Sequence, residues 1–210
     1  MRTIEIQLFT FDELAPAAKE KAREWYRGLI DASEYADSVY DDASQIAAIL
    51  GIEFDRDKRG EPMILWSGFY SQGDGACFEG SYRYKAGCQK AIRGYAPKDE
   101  ALHKIADNLA ELQKRNGFKL RATVKHSGNY SHEYCTRIDV VKDSTRDGYE
   151  SEDSPGIETE KALAEILRAF MRWIYRQLEA AHEAAHADEN VDETIRANDY
   201  EFEASGKHAA

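Results

Sequence analysis

The stretch Met63–Tyr84, MILWSGFYSQGDGACFEGSYRY, decides the fold class. Met63–Phe69 is an apolar and aromatic run. Ala76–Tyr84 alternates apolar or aromatic residues with polar and charged ones, the period of a strand with one buried face. Between them Ser71–Gly75 is a glycine-rich turn or loop. No helix separates the two runs, and a parallel pair would need a long crossover, so they read as antiparallel neighbours. Working outward, a second strand pair covers about 118–126 and 133–142, joined by a hairpin turn at Ser127–Tyr130. Ile52–Phe54 begins the β region. Ile4, Ile6 and Leu8 alternate with polar residues near the N-terminus.

Helices flank this clustered β region. Pro16 suits the first position of a helix over about 16–30. A second covers about 36–50, with Gly51 as its C-terminal cap, and a third covers about 97–115. The long C-terminal helix covers about 157–186, where Leu163, Ile166, Leu167, Phe170, Met171, Ile174 and Leu178 form one apolar stripe. A short helix near 190–197 and a strand over Tyr200–Glu203 follow. Residues 143–156 read as a polar loop. The expectation is an α+β fold: an antiparallel sheet of about five to seven strands packed by four or five helices. One domain would span residues 1–204, with 205–210 a flexible tail.

Composition narrows the function classes. The 210 residues carry 39 acids against 28 bases, a formal net charge of -11. A hydrophobic fraction of 42% excludes a disordered chain. No apolar run reaches the length of a membrane span, and direct nucleic-acid binding is disfavoured at a pI near 5.1. The charge is uneven: residues 1–142 hold 22 acids and 21 bases, whereas residues 143–210 hold 17 acids and 7 bases. That acidic third reads as a solvated surface, or as one that meets a basic partner or imitates nucleic acid. Three cysteines with no C-x-x-C pair imply no disulfide framework and fit a reducing cytoplasm.

Four constellations could carry chemistry. His182-Glu183-Ala-Ala-His186 matches H-E-x-x-H, in which residues four apart share a helix face and can bind one zinc ion, with the glutamate as general base. Its context is an Ala-rich helix end, with a third ligand available only from Asp188, Glu189, Glu201 or Glu203, so a solvated helix end is the plainer account, and no metal or cofactor is expected. The loop Ser71, Gln72, Gly73, Asp74 and Gly75 could hold an anion on its backbone N–H groups, or a hydroxyl or cation on Asp74. It lacks the G-K-[ST] of a P-loop. It is the preferred ligand-binding candidate, with His126 and His132 of the neighbouring hairpin at the same end of the sheet. Cys77 or Cys135 beside a histidine could form a nucleophile pair, although a small buried cysteine is the commoner outcome. Arg168, Arg172 and Arg176, spaced by four on the long helix, either pair with Glu165 and Glu179 or form a guanidinium ladder for a phosphate or acidic partner. Together with Glu189, Asp192 and Glu193 they are the candidate partner-binding residues.

Several stretches also resemble a known family. They are Thr3–Ile6, Thr10–Leu14, Ala18–Tyr26, Ser67–Gly80, Arg172–Leu178 and Thr194–Phe202, with Ser67–Gly80 the most distinctive. The chain resembles small proteins of bacteriophages and prophages labelled as antitoxins of toxin–antitoxin stability systems. The resemblance implies a bacterial host cytoplasm and carries no catalytic residue. The leading expectation is therefore a non-enzymatic protein that binds and neutralises a host protein, a toxin or a defence component, through an acidic surface. The alternatives are a small-ligand or nucleotide-signal binder at Ser71–Gly75 and, less favoured, a zinc hydrolase at His182, Glu183 and His186.

Overall fold

The computed structural model describes residues 7–146 and 149–209, with positions 145, 146 and 149–151 described by their backbone pairing. Ile4 and Ile6 of the expected first strand, the Asp147-Gly148 turn and Ala210 lie outside the described residues. The fold is α+β. Contacts gather the chain into two compact units where one domain was expected: Met1–Asp37 with Leu178–Ala210, and Ser38–Gln177.

The Ser38–Gln177 unit holds most of the sheet. Its strands are β2 (Ile52–Phe54), β3 (Ile64–Ser67), β4 (Gly75–Phe78), β5 (Gly80–Arg83), β6 (Leu120–His126), β7 (Thr136–Arg146) and β8 (Tyr149–Asp153). Five of them form an antiparallel sheet in the order β2-β5-β6-β7-β8. β3 and β4 pair as the hairpin expected of Met63–Tyr84, with Ile64 opposite Phe78 and Ser67 opposite Gly75. The expected run Ala76–Tyr84 is two strands, because the chain changes sheets at Glu79. A Cβ on Gly80 would lie 2.1 Å from the Glu53 carbonyl oxygen, so the crossing tolerates only glycine.

The helices of this unit are most of α2 (Ala32–Leu50), α3 (Cys88–Tyr95), α4 (Glu100–Arg115) and α5 (Ile157–His186) as far as Gln177. Alternation buries one face of the sheet: Tyr82, Leu120, Ala122, Val124 and Val140. α4 meets it through buried Gln113, whose amide donates to the Leu120 carbonyl and the Tyr82 hydroxyl and accepts from the Leu120 N–H. α5 brings Phe170 against Phe54 and Phe78. Asp99 caps α4 at the Leu102 N–H and accepts from the Trp173 indole, which ties the start of α4 to α5.

The other unit is mainly helical. Antiparallel β1 (Leu8–Thr10) and β9 (Glu201–Glu203) pair, and α1 (Pro16–Arg27) and α6 (Asp188–Ala197) enclose a core of Phe11, Leu14, Ala18, Ala22, Val191, Ile195 and Phe202. Thr10 and Glu13 form a capping box on a single 3₁₀ turn, Phe11–Glu13, after which Pro16 opens α1.

Three expectations are corrected. Within residues 143–156, expected as loop, 143–146 extend β7 and 149–153 form β8. Arg121 explains the pairing: it bridges Asp143 and Glu152, which face each other in the register and would otherwise repel. The segment 88–95, left without a helix, is α3. The 205–210 tail is ordered as far as residue 209: His208 bridges to Phe202 and stacks on Trp25 at 4.0 Å between ring centres. Gly206 lies where a Cβ would be 2.2 Å from the Ala18 carbonyl oxygen, so the backbone packs tightly on α1. Among the described residues no helix is long and apolar enough to cross a membrane.

Candidate functional site

The β3–β4 hairpin aims its loop at the β6–β7 connection. That connection is the nine residues 127–135 rather than the tight Ser127–Tyr130 turn expected. A Cβ on Gly73 would touch the Tyr130 ring at 3.1 Å, and one on Gly75 would lie 3.0 Å from the His132 ring. Both glycines therefore serve close approach. Ser71–Gly75 and His132 meet in one patch, beside Tyr130, whose carbonyl oxygen lies 3.0 Å from His126 Nε2.

Asp74 is committed inside this loop. Its carboxylate accepts the Tyr70 N–H at 2.9 Å and the Ser71 N–H at 2.6 Å. Two backbone donors at the start of the loop are thus filled by the chain's own carboxylate. Tyr175 of α5 donates its hydroxyl to the Gly68 carbonyl at 3.0 Å, which pins the loop's first residue. Ser71 and Gln72 are exposed at the tip. Tyr70 is 84% exposed, Tyr130 60% and Tyr134 61%, so the patch presents three phenol rings to solvent.

Glu133 joins this patch to the arginine ladder, and sequence reasoning missed it. It is 7% exposed, its carboxylate lies 3.1 Å from His132 Nδ1, and it accepts from Arg172 at 3.3 Å. Arg172 also binds Glu165 at 2.7 Å. Arg168 approaches Glu165, donates to the Glu133 carbonyl and stacks over the Tyr134 ring at 5.0 Å. Arg176 is exposed, without an ion pair among the described residues. Two rungs of the ladder are thus occupied and one is open. The only signal for Glu133 in the sequence is a carboxylate between His132 and Tyr134, and nothing in that spacing announces burial.

Cys77 is poorly placed to act as a nucleophile. Cys77 is fully buried in β4, and burial pushes its thiol up to about 12, with nearby Cys135, Glu79 and Glu133 adding to the effect. A thiol so raised holds almost no thiolate at neutral pH. Cys88 is also buried and also raised by burial.

At the H-E-x-x-H stretch the two imidazoles do share a face, with ring centres 4.0 Å apart. Tyr35 closes one side, its hydroxyl 3.3 Å from His182 Nδ1. His186 Nδ1 sits 2.8 Å from the His182 carbonyl oxygen. Among the described residues no group of three His, Cys, Asp or Glu could hold a metal ion. Asp188, one of the ligands considered, instead binds Arg27 and Arg23.

The remaining expected partner residues lie on α6 and divide by face. Asp192 is held by a two-point contact to Arg23, at 2.7 and 2.8 Å. Glu189 and Glu193 are exposed and make no ion pair among the described residues. Counted by unit, Met1–Asp37 with Leu178–Ala210 carries 17 acids against 7 bases, net -10, and Ser38–Gln177 carries 22 against 21, net -1. The acid excess therefore lies in one structural unit, to which the N-terminal segment contributes as well as the C-terminal one.

No curated protein and no solved structure matches this chain. Residues 35–188, which include the whole Ser38–Gln177 unit, match a family model. The chain therefore belongs to the family described as a domain of unknown function, DUF8835.

Proposed function

We propose that the protein works without catalysis, as a binding protein that captures and neutralises a basic partner through its acidic unit. The observation that carries this reading is the concentration of a net charge of -10 in Met1–Asp37 with Leu178–Ala210. Such a field raises the encounter rate with a basic surface and disfavours acidic competitors. The exposed Asp188 and the partly buried Asp192 pair with Arg23 and Arg27 and hold α6 on α1, which leaves Glu189 and Glu193 without ion pairs among the described residues. The resemblance to phage and prophage antitoxin-labelled proteins makes the partner a bacterial host toxin or a component of an anti-phage defence, met in the host cytoplasm.

The test is capture from bacterial host lysate at about 50 and about 500 mM salt, with the wild type and a Glu189→Lys/Glu193→Lys variant. The reading requires a partner retained at low salt, released at high salt and lost from the variant. Equal capture by both proteins would overturn it.

A second reading, a nucleotide-signal or other small-ligand binder at Ser71–Gly75, draws on the meeting of that loop with Tyr130, His126 and His132 under three exposed tyrosines. Rings of that kind stack on planar bases. A thermal-shift screen of nucleotides against wild type and Tyr130→Ala tests it, and the reading expects stabilisation of the wild type alone.

A further inference from the structure

A second surface, unrelated to the acidic unit, runs between α4 and α5. It is a groove of about 600 Å³ lined on α4 from Ala101 to Arg115 and on α5 from Ala162 to Arg176. Its floor is apolar: Ile105, Leu112 and Ile166, with the small Ala101, Ala162 and Ala169 between them. At about 1.5 Å of rise per residue the lined stretch is about 20 Å long. The mean cross-section is then about 30 Å², enough for a row of side chains but not for a helix body about 10 Å across. Small alanines let a neighbouring backbone come close, and larger residues form the ridges between which a row of side chains settles.

The walls carry the information about what fits. Arg115 and Arg172 are satisfied by Glu111 and Glu165. Lys104 on the α4 wall and Arg176 on the α5 wall are exposed and have no carboxylate partner among the described residues. Because Asp99 at the start of α4 bonds Trp173, these two cations stand near the same end of the groove, on opposite sides of it. One compact head group on an acyl chain would serve one wall. An apolar stripe with carboxylates on both flanks serves both.

We propose that the α4–α5 groove docks an amphipathic helix of a partner protein whose apolar stripe is flanked by acidic residues, with carboxylates meeting Lys104 and Arg176. This does not depend on the acidic unit, whose partner would be basic. The probe is a fluorescein-labelled 18-residue designed helix, about five turns, with leucines at helical i, i+3, i+4 and i+7 spacing and glutamates on both flanks. Its control carries lysines in place of the glutamates.

The glutamate peptide is expected to bind the full chain in fluorescence anisotropy, and to weaken about fivefold or more between 50 and 300 mM salt. Lys104→Glu/Arg176→Glu should weaken it about tenfold or more. Ala169→Glu, which fills the floor, should do the same. The Lys104→Glu/Arg176→Glu variant should keep the wild-type thermal midpoint, since both altered side chains are exposed. Binding of the lysine peptide as tightly as the glutamate peptide would overturn the proposal, as would no effect of the double reversal. Saturation of the groove by dodecanoate with no peptide binding would assign it to a small amphiphile instead. A self-association lost in Arg176→Glu, seen by sedimentation, would assign it to a second copy.

Discussion

Single side chains hold the loop patch in a form closed on itself. Gly68 has φ +42°, and a Cβ there would sit 2.4 Å from an Asp74 carboxylate oxygen that two backbone N–H groups already fix. Gly68→Ala should therefore cost about 1–3 kcal/mol in denaturant unfolding, since neither the backbone nor Asp74 can yield cheaply. Cys77 and Cys88 should resist iodoacetamide in the native protein at pH 8, whereas half-exposed Cys135 is alkylated. Mass spectrometry before and after denaturation checks this. Residue identity foretold the glycines and Asp74 as a loop, but not that Asp74 accepts the Tyr70 and Ser71 N–H groups. That depends on a return of the chain by four residues, which a composition of Ser, Gln, Gly and Asp allows without requiring.

Among the elements, α6 is held to α1 by charge on one face and apolar packing on the other. Asp192 has its carboxyl lowered below the ordinary 3.8 by the Arg23 hydrogen bonds, against the opposing effect of burial. Its contribution is present above that ordinary value and is lost as pH falls through the lower folded value. Asp192→Asn should thus lose about 1–3 kcal/mol at pH 7 and converge on the wild type in acid, read by urea unfolding at a series of pH values. His182 in α5 behaves differently in kind. Burial, then the neighbouring His186, lower it below 6.5, with Glu183 opposing. The folded state prefers the neutral ring, so its contribution is present above pH 6.5 and falls away as acid protonates it. His182→Gln should flatten the decline of the thermal midpoint below that pH.

The long α5 was plain from its stripe over 157–186, because 3.6-residue periodicity survives wherever one face is buried. β8 was not plain. It is an edge strand, and its pairing rests on a salt bridge from β6 rather than on apolar alternation. α3 was hidden for a related reason. Eight residues with only Cys88 and Ile92 buried are too few to establish a period.

For the whole molecule, charge is organised by unit. The Met1–Asp37 and Leu178–Ala210 segments are far apart in sequence and share one core, and they hold nearly all of the excess acid. Reversing Glu189 and Glu193 should remove partner capture while leaving the melting midpoint within about 1–2 °C, because both are exposed and neither makes an ion pair among the described residues. Binding of the glutamate peptide to the α4–α5 groove should persist in that variant, which separates the two proposed surfaces experimentally.

Local patterning was enough for the fold class, the long helix, the β3–β4 hairpin and the reading of residues 63–84 as antiparallel. Each follows from periodicity and turn chemistry within a span of about twenty residues. The grouping of distant segments lay beyond that range. The N-terminal helix joins α6, buried Glu133 links His132 to Arg172, and two cations face each other across a groove formed by helices more than forty residues apart. Such contacts are made through space after the core closes, and a one-dimensional pattern carries no record of which faces will meet.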